Sequence, residues 1–547
     1  MKGAPIGIDD FRKIRSIGAY YVDKTGLIID ILSRPTIEVY LFTRPRRFGK
    51  SLNLSMLDAF FGMDYDSRAM FDGLNVMSDK ESAKHINSHP VIHISLKQLR
   101  TYSFETFLLS FKQMIRSLCV RYTYLLNWDT EINTKQIFID MNDGRFDDID
   151  LTMSLKILTE ALFRFHGTKA IVLIDEYDYV SNSSYGSDIH DDIIAFMRDF
   201  LSNTLKSNSN LEFGVITGVM QIAKENIFSG LNNLYVNNIF NKDFSEEFGF
   251  TECEVAQMLA YYDHSEKIDE VKEWYDGYHF GDADIYNPWS ILNYIQRGFQ
   301  TGPYWLNEGN PSIILKSMGM VGTNALRVVT ELYNYGSVVR RLNTNLIFSE
   351  LNSMNGFLTL LTGSGYLKAM PLDDGTYVLS IVNNEVRNGF LEQLVSGYWD
   401  YDDVNNISKA LLGGSPEDVR DELMNSMGMS LDSKLTRDER YYQAFILGLL
   451  NCLKSRYYIK SEYKAGNGYA DIDIIPRDGK GPFVIIELKD ELPGTDDVVM
   501  KGVADAALKQ IESRRYHTDF KGLTHLYGIA IRQTDVFVSY ESVNANI

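Results

Sequence analysis

At 547 residues the chain is too long for one hydrophobic core, and about two to four domains are expected. Its three cysteines, Cys119, Cys253 and Cys452, are widely spaced, which argues against a disulfide framework and against a zinc site and suits a reducing cytosol. The formal net charge of −19 argues against passive coating of DNA but does not exclude a nuclease, whose metal site adds carboxylates of its own. Met1 to Asp9 lacks the apolar core of a signal peptide, and the apolar run Ala444 to Leu450 is far too short to cross a bilayer. A cytoplasmic protein with no membrane partner is the expectation.

The first part of the chain alternates apolar runs with amphipathic stretches. The runs are Glu38 to Phe42, Val91 to Ser95, Ala170 to Ile174 and Glu212 to Thr217. Buried strands separated by long helical segments predict a parallel α/β sheet. The first run leads into Thr43-Arg44-Pro45-Arg46-Arg47-Phe48-Gly49-Lys50-Ser51, and an amphipathic helix from Leu52 to Phe61 follows. That is the strand–loop–helix setting of a phosphate-binding loop. Gly49 would let the backbone approach phosphate, Lys50 would reach the β- and γ-phosphates, and Ser51 would ligate Mg²⁺. The helix N-terminus adds donors and a positive dipole. Arg44 stands where such loops usually have their first glycine, and Arg44, Arg46 and Arg47 make this loop unusually basic.

The third run ends in Asp175-Glu176. Asp175 is placed to hold the Mg²⁺ shell, and Glu176 to polarise the attacking water. The fourth run ends in Thr217, which is placed either to sense a γ-phosphate or to bond local backbone. The next stretch is helical and rich in aromatics, from Trp274 to Gly281 and from Tyr286 to Trp289, which read as core packing. A helix from Asn355 to Leu361 and a hairpin turning at Asp373 to Thr376 give a winged-helix pattern without a basic recognition helix.

The last domain begins with a helix from Thr436 to Leu453 and ends in a strand and helix pair around Gly528 to Ile531. Between them, Asp471 opens one strand, Gly479 to Pro482 turn, and Phe483 to Lys489 form a second, buried strand. Side chains alternate along a strand, so Glu487 and Lys489 share a face that Asp471 can meet. Asp471 and Glu487 would hold Mg²⁺ through oxygen, and Lys489 would orient a water or offset phosphoryl charge. Lys454, Arg456, Lys460, Lys464, Lys509, Arg514 and Arg515 are local basic residues about this site; taken singly, each reads as part of a solvated face.

The N-terminal half resembles the AAA-ATPase-like proteins of bacteria through Tyr21 to Thr25, Arg44 to Ser51, Leu173 to Asp178, Thr217 to Val219 and Ile227 to Asn233. The C-terminal end resembles the PD-(D/E)XK nuclease domain that accompanies that ATPase, through Gly466 to Asp471, Glu487 to Lys489 and Ala507 to Ile511. The resemblance implies an α/β fold: an ASCE-type, AAA-like P-loop sheet, a helical and winged-helix middle region, and a C-terminal restriction-endonuclease-like domain. The corresponding division is 1–245, 246–335, 336–405 and 406–547. It implies ATP and Mg²⁺ as cofactors, with Arg46, Arg47, Gly49, Lys50, Ser51, Asp175 and Thr217 around the nucleotide. It also assigns Asp471, Glu487 and Lys489 to the nuclease core, Gln510 to an accessory place on the following helix, and Glu439 to an additional acidic position.

The leading reading is an ATP-regulated, metal-dependent nuclease acting on DNA or RNA, able also to assemble as a homo-oligomer. The alternative is a nucleotide-binding switch whose nuclease fold is a binding platform only. An ATPase motor without a nuclease fits the C-terminus poorly.

Overall fold

Five short apolar runs lie side by side in the computed structural model: β1 (Val39–Thr43), β2 (Val91–Ser95), β3 (Ala170–Asp175), β4 (Leu211–Gly218) and β5 (Leu234–Asn237). The structure describes residues 2–127, 133–145, 148–220, 227–228, 230–306, 312–344, 350–387, 401–430, 439–450, 453, 456–465, 468–516 and 520–545. Of the positions singled out above, Ser229, Thr436, Cys452, Lys454, Gly466 and Asn467 lie outside these residues. The sheet order is β2-β3-β4-β1-β5 and the neighbouring strands run parallel. β1 and β3 are buried along their whole length, as strands covered on both faces must be. Since all five run the same way, β1, β3 and β4 deliver Thr43, Asp175 and Gly218 to one edge of the sheet, the edge where open α/β sheets bind ligands.

Helix Lys50–Phe61 packs on this sheet and is buried nearly all round. Leu54, Leu57, Phe60 and Phe61 join Tyr40, Phe42, Leu173 and Val215 in one core, each contributing about 1.5–3 kcal/mol by burial. The one carboxylate buried in this helix, Asp58, is fully answered. It accepts from Arg12 (2.9 Å) and Arg121 (2.9 Å), and His93 lies 3.8 Å away. Burial pushes the Asp58 carboxyl upward, but His93, Arg121 and Arg12 outweigh it and hold it well below the usual carboxylate range. Asp58 thereby fastens the phosphate-loop helix to the N-terminal helix Phe11–Ser16, to β2, and to the end of helix Phe104–Val120.

Downstream, β6 (Phe250–Thr251), β7 (Tyr278–Phe280) and β8 (Ala283–Tyr286) form a small antiparallel sheet in the order β6-β8-β7. Around it Tyr275, Tyr286 and Tyr294 are buried in a second core, with Trp274 packed against it. After β9 (Ser337–Arg340), helix Met354–Gly363 leads into the hairpin β10 (Leu367–Pro371) and β11 (Tyr377–Ile381), a helix followed by a wing.

The C-terminal sheet holds β12 (Tyr457–Ala465), β13 (Gly468–Pro476), β14 (Phe483–Asp490), β15 (Gly522–Arg532) and β16 (Asp535–Ala545), in chain order across the sheet. β14 and β15 are parallel, joined through helix Asp497–Ser513, and the other pairs are antiparallel. The strand expected around Gly528 is present, but the strand that follows it is β16, and the helix of that pair precedes it. Gly528 allows helix and sheet to touch: a Cβ there would meet the backbone of Ala504 and Leu508 at 2.3 and 2.4 Å. The chain as a whole divides into two compact units, 1–313 with 339–386, and 314–338 with 387–547, so the segment 246–335 is shared between them.

Because Asp58 ties three elements together, Asp58→Ala should destabilise the N-terminal unit by about 2–3 kcal/mol, less than for a fully buried pair because both arginines are about a quarter exposed. Its folded pKa is depressed, so its contribution is present above about pH 4 and is lost as the pH falls through the folded value. Urea midpoints of wild type and variant, compared at neutral and acid pH, check both the size and the narrowing of the gap.

Candidate nucleotide and metal sites

The loop between β1 and helix Lys50–Phe61 is shaped by two backbone positions in the left-handed region, Arg47 (φ 68°) and Gly49 (φ 82°). Phe48 between them is fully buried against the rings of Tyr278 and Phe280 and anchors the loop. Arg46 and Arg47 are exposed, and the Arg47 guanidinium lies 4.3 Å from the Trp289 ring centre. Trp305 donates its indole N–H to the Arg46 carbonyl at 3.1 Å. Arg44 departs from its expected place among the loop's basic residues. It is fully buried, donates to the carbonyls of Thr43, Asn237 and Phe244 and to Asn237 Oδ1, and lies against Phe248 and Phe280. Burial lowers it to about 9, and it braces the end of β1 against β5 instead of facing a phosphate.

Lys50 lies at the base of the loop, where its ammonium donates to the carbonyls of Arg44 (2.9 Å) and Pro45 (2.8 Å). Burial lowers it to about 8 against the pull of Asp175, Asp178 and Glu176. Ser51 donates its hydroxyl to Asp175 Oδ2 at 2.5 Å. The other Asp175 oxygen accepts from the Thr217 hydroxyl and from the Glu176 backbone N–H at 3.0 Å. Thr217 therefore answers Asp175, and not the backbone beside Gly218. Glu176 follows in a left-handed conformation (φ 52°), and its carboxylate lies 3.3 Å from the Lys97 ammonium.

Gly49, Lys50, Ser51, Lys97, Glu176 and Asp178 line one cavity of about 560 Å³, whose remaining walls include Ile8, Tyr20, Trp289 and Leu292. The cavity is thus lined by both charged and apolar side chains, a mixture that suits a nucleotide. Asp178 and Lys97 are lining residues that were not among the site residues read from the sequence. Asp178 is buried, accepts from the backbone of Val219 and Met220 and from Asn182, and is held above the usual range by burial. Lys97 carries no motif of its own; its signal is only a basic residue just past a buried strand.

In the C-terminal sheet, β13 and β14 pair at Ile472–Ile486, which brings Asp471 beside the end of β14. Asp471 Oδ2 accepts the backbone N–H of Leu488 at 2.7 Å, and its carbonyl accepts from Gln443 at 2.8 Å. Glu487 is 2% exposed. Its Oε1 accepts from Lys489 (3.1 Å) and from Gln510, while its Oε2 is buried without a hydrogen-bond partner. Burial first, and then Asp471, push Glu487 up to about 7 against the pull of Lys489. Lys489 also lies 3.5 Å from Glu439 and donates to the Leu488 carbonyl. Burial works to lower Lys489, but the surrounding carboxylates outweigh it and hold it above its ordinary value. Glu439 is raised, chiefly by burial. The five residues thus meet, with Gln510 brought in by helix Asp497–Ser513.

Among the described residues no group of three His, Cys, Asp or Glu side chains is arranged to hold a metal by itself. The partnerless Glu487 oxygen and the neighbouring Asp471 do fit a hard cation that completes its shell with water and phosphate. No helix among the described residues is long and apolar enough to cross a membrane.

Residues 5–228 match the family model described as predicted AAA-ATPase, and residues 437–540 match that of the PD-(D/E)XK nuclease superfamily. A protein of Azotobacter chroococcum mcd 1, described as "Uncharacterized protein in vnfD 5'region", is 30% identical over 320 residues, 57% of this chain. The chain spans about half the length of that relative, 55%. The structure of the Aeropyrum pernix ORC2 protein covers 68% of this chain and 94% of its own at 10% identity and a TM-score of 0.24, a likeness too slight to carry an argument. The two family matches and the two sheets agree: the chain carries an AAA-ATPase-like region over residues 5–228 and a C-terminal region of the PD-(D/E)XK nuclease superfamily over residues 437–540.

Proposed function

We propose that the chain binds ATP with Mg²⁺ and is an ATP-regulated nuclease that cuts DNA or RNA. The observation that carries the nuclease half is Glu487: a buried carboxylate with one oxygen on Lys489 and Gln510 and the other unanswered is costly unless something charged completes it. Asp471 and Glu487 would hold the cation. When bound, that cation would lower the pKa of a water and offset charge on the scissile phosphate. Lys489 keeps its ammonium at the site and steadies the Glu487 carboxylate; Gln510 fixes that carboxylate's rotamer from the helix side. Glu439, next to Lys489, helps to keep the lysine charged.

For the nucleotide, Lys50 exchanges two backbone carbonyls for phosphate oxygens, a stronger charge-assisted pairing. Ser51 and Asp175, now in direct contact, would open to share Mg²⁺. Thr217 holds the second Asp175 oxygen, so the carboxylate keeps its direction. Glu176 faces the cavity as the water-polarising base. Arg46 and Arg47 add positive potential at the mouth. The domain limits of 1–245 for the ATPase and 406–547 for the nuclease belong to this proposal, as do a nucleic-acid partner and a cytoplasmic setting.

Lys50→Ala should weaken ATP binding by tenfold or more, since a lost charge-assisted contact costs about 1.5–3 kcal/mol. Calorimetry reads this, and unchanged affinity would reassign the phosphate contacts to Arg46 and Arg47. Glu176→Gln should bind ATP normally and hydrolyse it at least about a hundredfold more slowly, because the amide keeps the shape but not the base. Wild-type turnover in that variant would make Glu176 structural.

Asp471→Ala and Lys489→Ala should each abolish cleavage of plasmid or RNA in Mg²⁺ or Mn²⁺ while leaving ATP affinity unchanged. If wild-type protein cuts neither substrate with any divalent metal, with or without ATP, the C-terminal domain is a binding platform.

A further inference from the structure

Lys97 lines the cavity beside Glu176 but comes from neither the phosphate loop nor the Asp175-Glu176 strand end. It sits on the short turn Leu96–Gln98 directly after β2, pinned by the buried Leu96 and Leu99. β2 pairs with β3 so that Ser95 lies opposite Asp175, which fixes the turn beside the end of β3. Its ammonium lies 3.3 Å from Glu176 Oε1, with the Lys97 side chain 67% and the Glu176 side chain 27% exposed.

An ion pair this exposed is weak, so it is easily exchanged for a better one. A terminal phosphate arriving beside Glu176 offers Lys97 a more highly charged partner and sets its own charge against the carboxylate. Lys50 rises from the base of the loop, where it donates to the Arg44 and Pro45 carbonyls until phosphate replaces them. Lys97 is a second cation in the same cavity, beside Glu176, and is available to a phosphate that reaches Glu176. While it is paired with Lys97, the Glu176 oxygen is occupied; once Lys97 leaves, that oxygen can accept a proton from water.

We propose that Lys97 is a second phosphate-binding lysine, selective for the terminal phosphate of a nucleoside triphosphate, and that its transfer from Glu176 to that phosphate releases Glu176 as a base. This rests on the ATP-site reading given above. A diphosphate does not reach Lys97, so the Lys97–Glu176 pair persists and the protein distinguishes ATP from ADP at this residue.

The test is calorimetric titration of the full chain, in Mg²⁺, with a non-hydrolysable ATP analogue and with ADP, for wild type, Lys97→Met and Lys97→Arg. Lys97→Met should weaken the triphosphate analogue about tenfold and leave ADP within about twofold, and Lys97→Arg, which keeps the charge, should recover most of the loss. An unchanged ratio of the two affinities in Lys97→Met overturns the proposal, as does an equal loss for both nucleotides. Wild-type protein that binds neither nucleotide overturns the ATP-site reading itself. Selective binding in wild type that survives in Lys97→Met removes only the role of Lys97.

Discussion

Asp175 ends a strand buried along its whole length, and its two oxygens are taken by Ser51 from the phosphate-loop helix and Thr217 from β4. Three separate segments of the chain meet at that one carboxylate. The parallel sheet makes this meeting possible, because parallel strands present their C-terminal ends together, and the order β3-β4-β1 sets Thr217 between the other two. The remaining features of the N-terminal unit serve the same end. Arg44 braces the close of β1, Phe48 anchors the loop, and Asp58 fastens the far end of the helix that begins with Lys50 and Ser51. Rigid packing behind the site leaves the mobile chemistry to a few side chains at its rim, Lys97 and Glu176 among them.

The C-terminal sheet solves a different problem. Glu487 is placed within a run of Phe483, Val484, Ile485 and Ile486, so the strand that positions it also buries it. A carboxylate there is tolerated only with compensation. Lys489, two residues on and therefore on the same face, supplies one partner, and Gln510 supplies another because Gly528 lets its helix lie flat on β15. Burial still pushes Glu487 up to about 7, and its Oε2 stays buried without a hydrogen-bond partner.

Much of this was legible in the sequence. β1 to β4 announce themselves as apolar runs, and the Gly-Lys-Ser and Asp-Glu endings fall where strands stop. The Asp471 and Glu487-Leu488-Lys489 pattern places the second cluster through strand alternation alone. What escaped has physical reasons. β5 is short and half-buried, so Leu234–Asn237 carries no strong signal. β12 and β16 are edge strands, and their mixture of Tyr, Ser and Glu with other residues matches neither a buried run nor a turn. Arg44 reads with Arg46 and Arg47 as part of a basic loop, because sequence spacing does not reveal which arginine turns inward to brace β1. Lys97 pairs with Glu176, 79 positions further along the chain, a contact that only the register of β2 on β3 creates.

The central claim for the C-terminal unit is that Asp471 and Glu487 are held together for a divalent cation, and that claim can be measured without any nucleic acid. Titration of Mn²⁺ into the nucleotide-free full chain, followed by the paramagnetic resonance signal of the free ion, should show a site in the wild type that is lost in Glu487→Gln and retained in Glu176→Gln. Equal Mn²⁺ uptake by the wild type and Glu487→Gln would contradict the account.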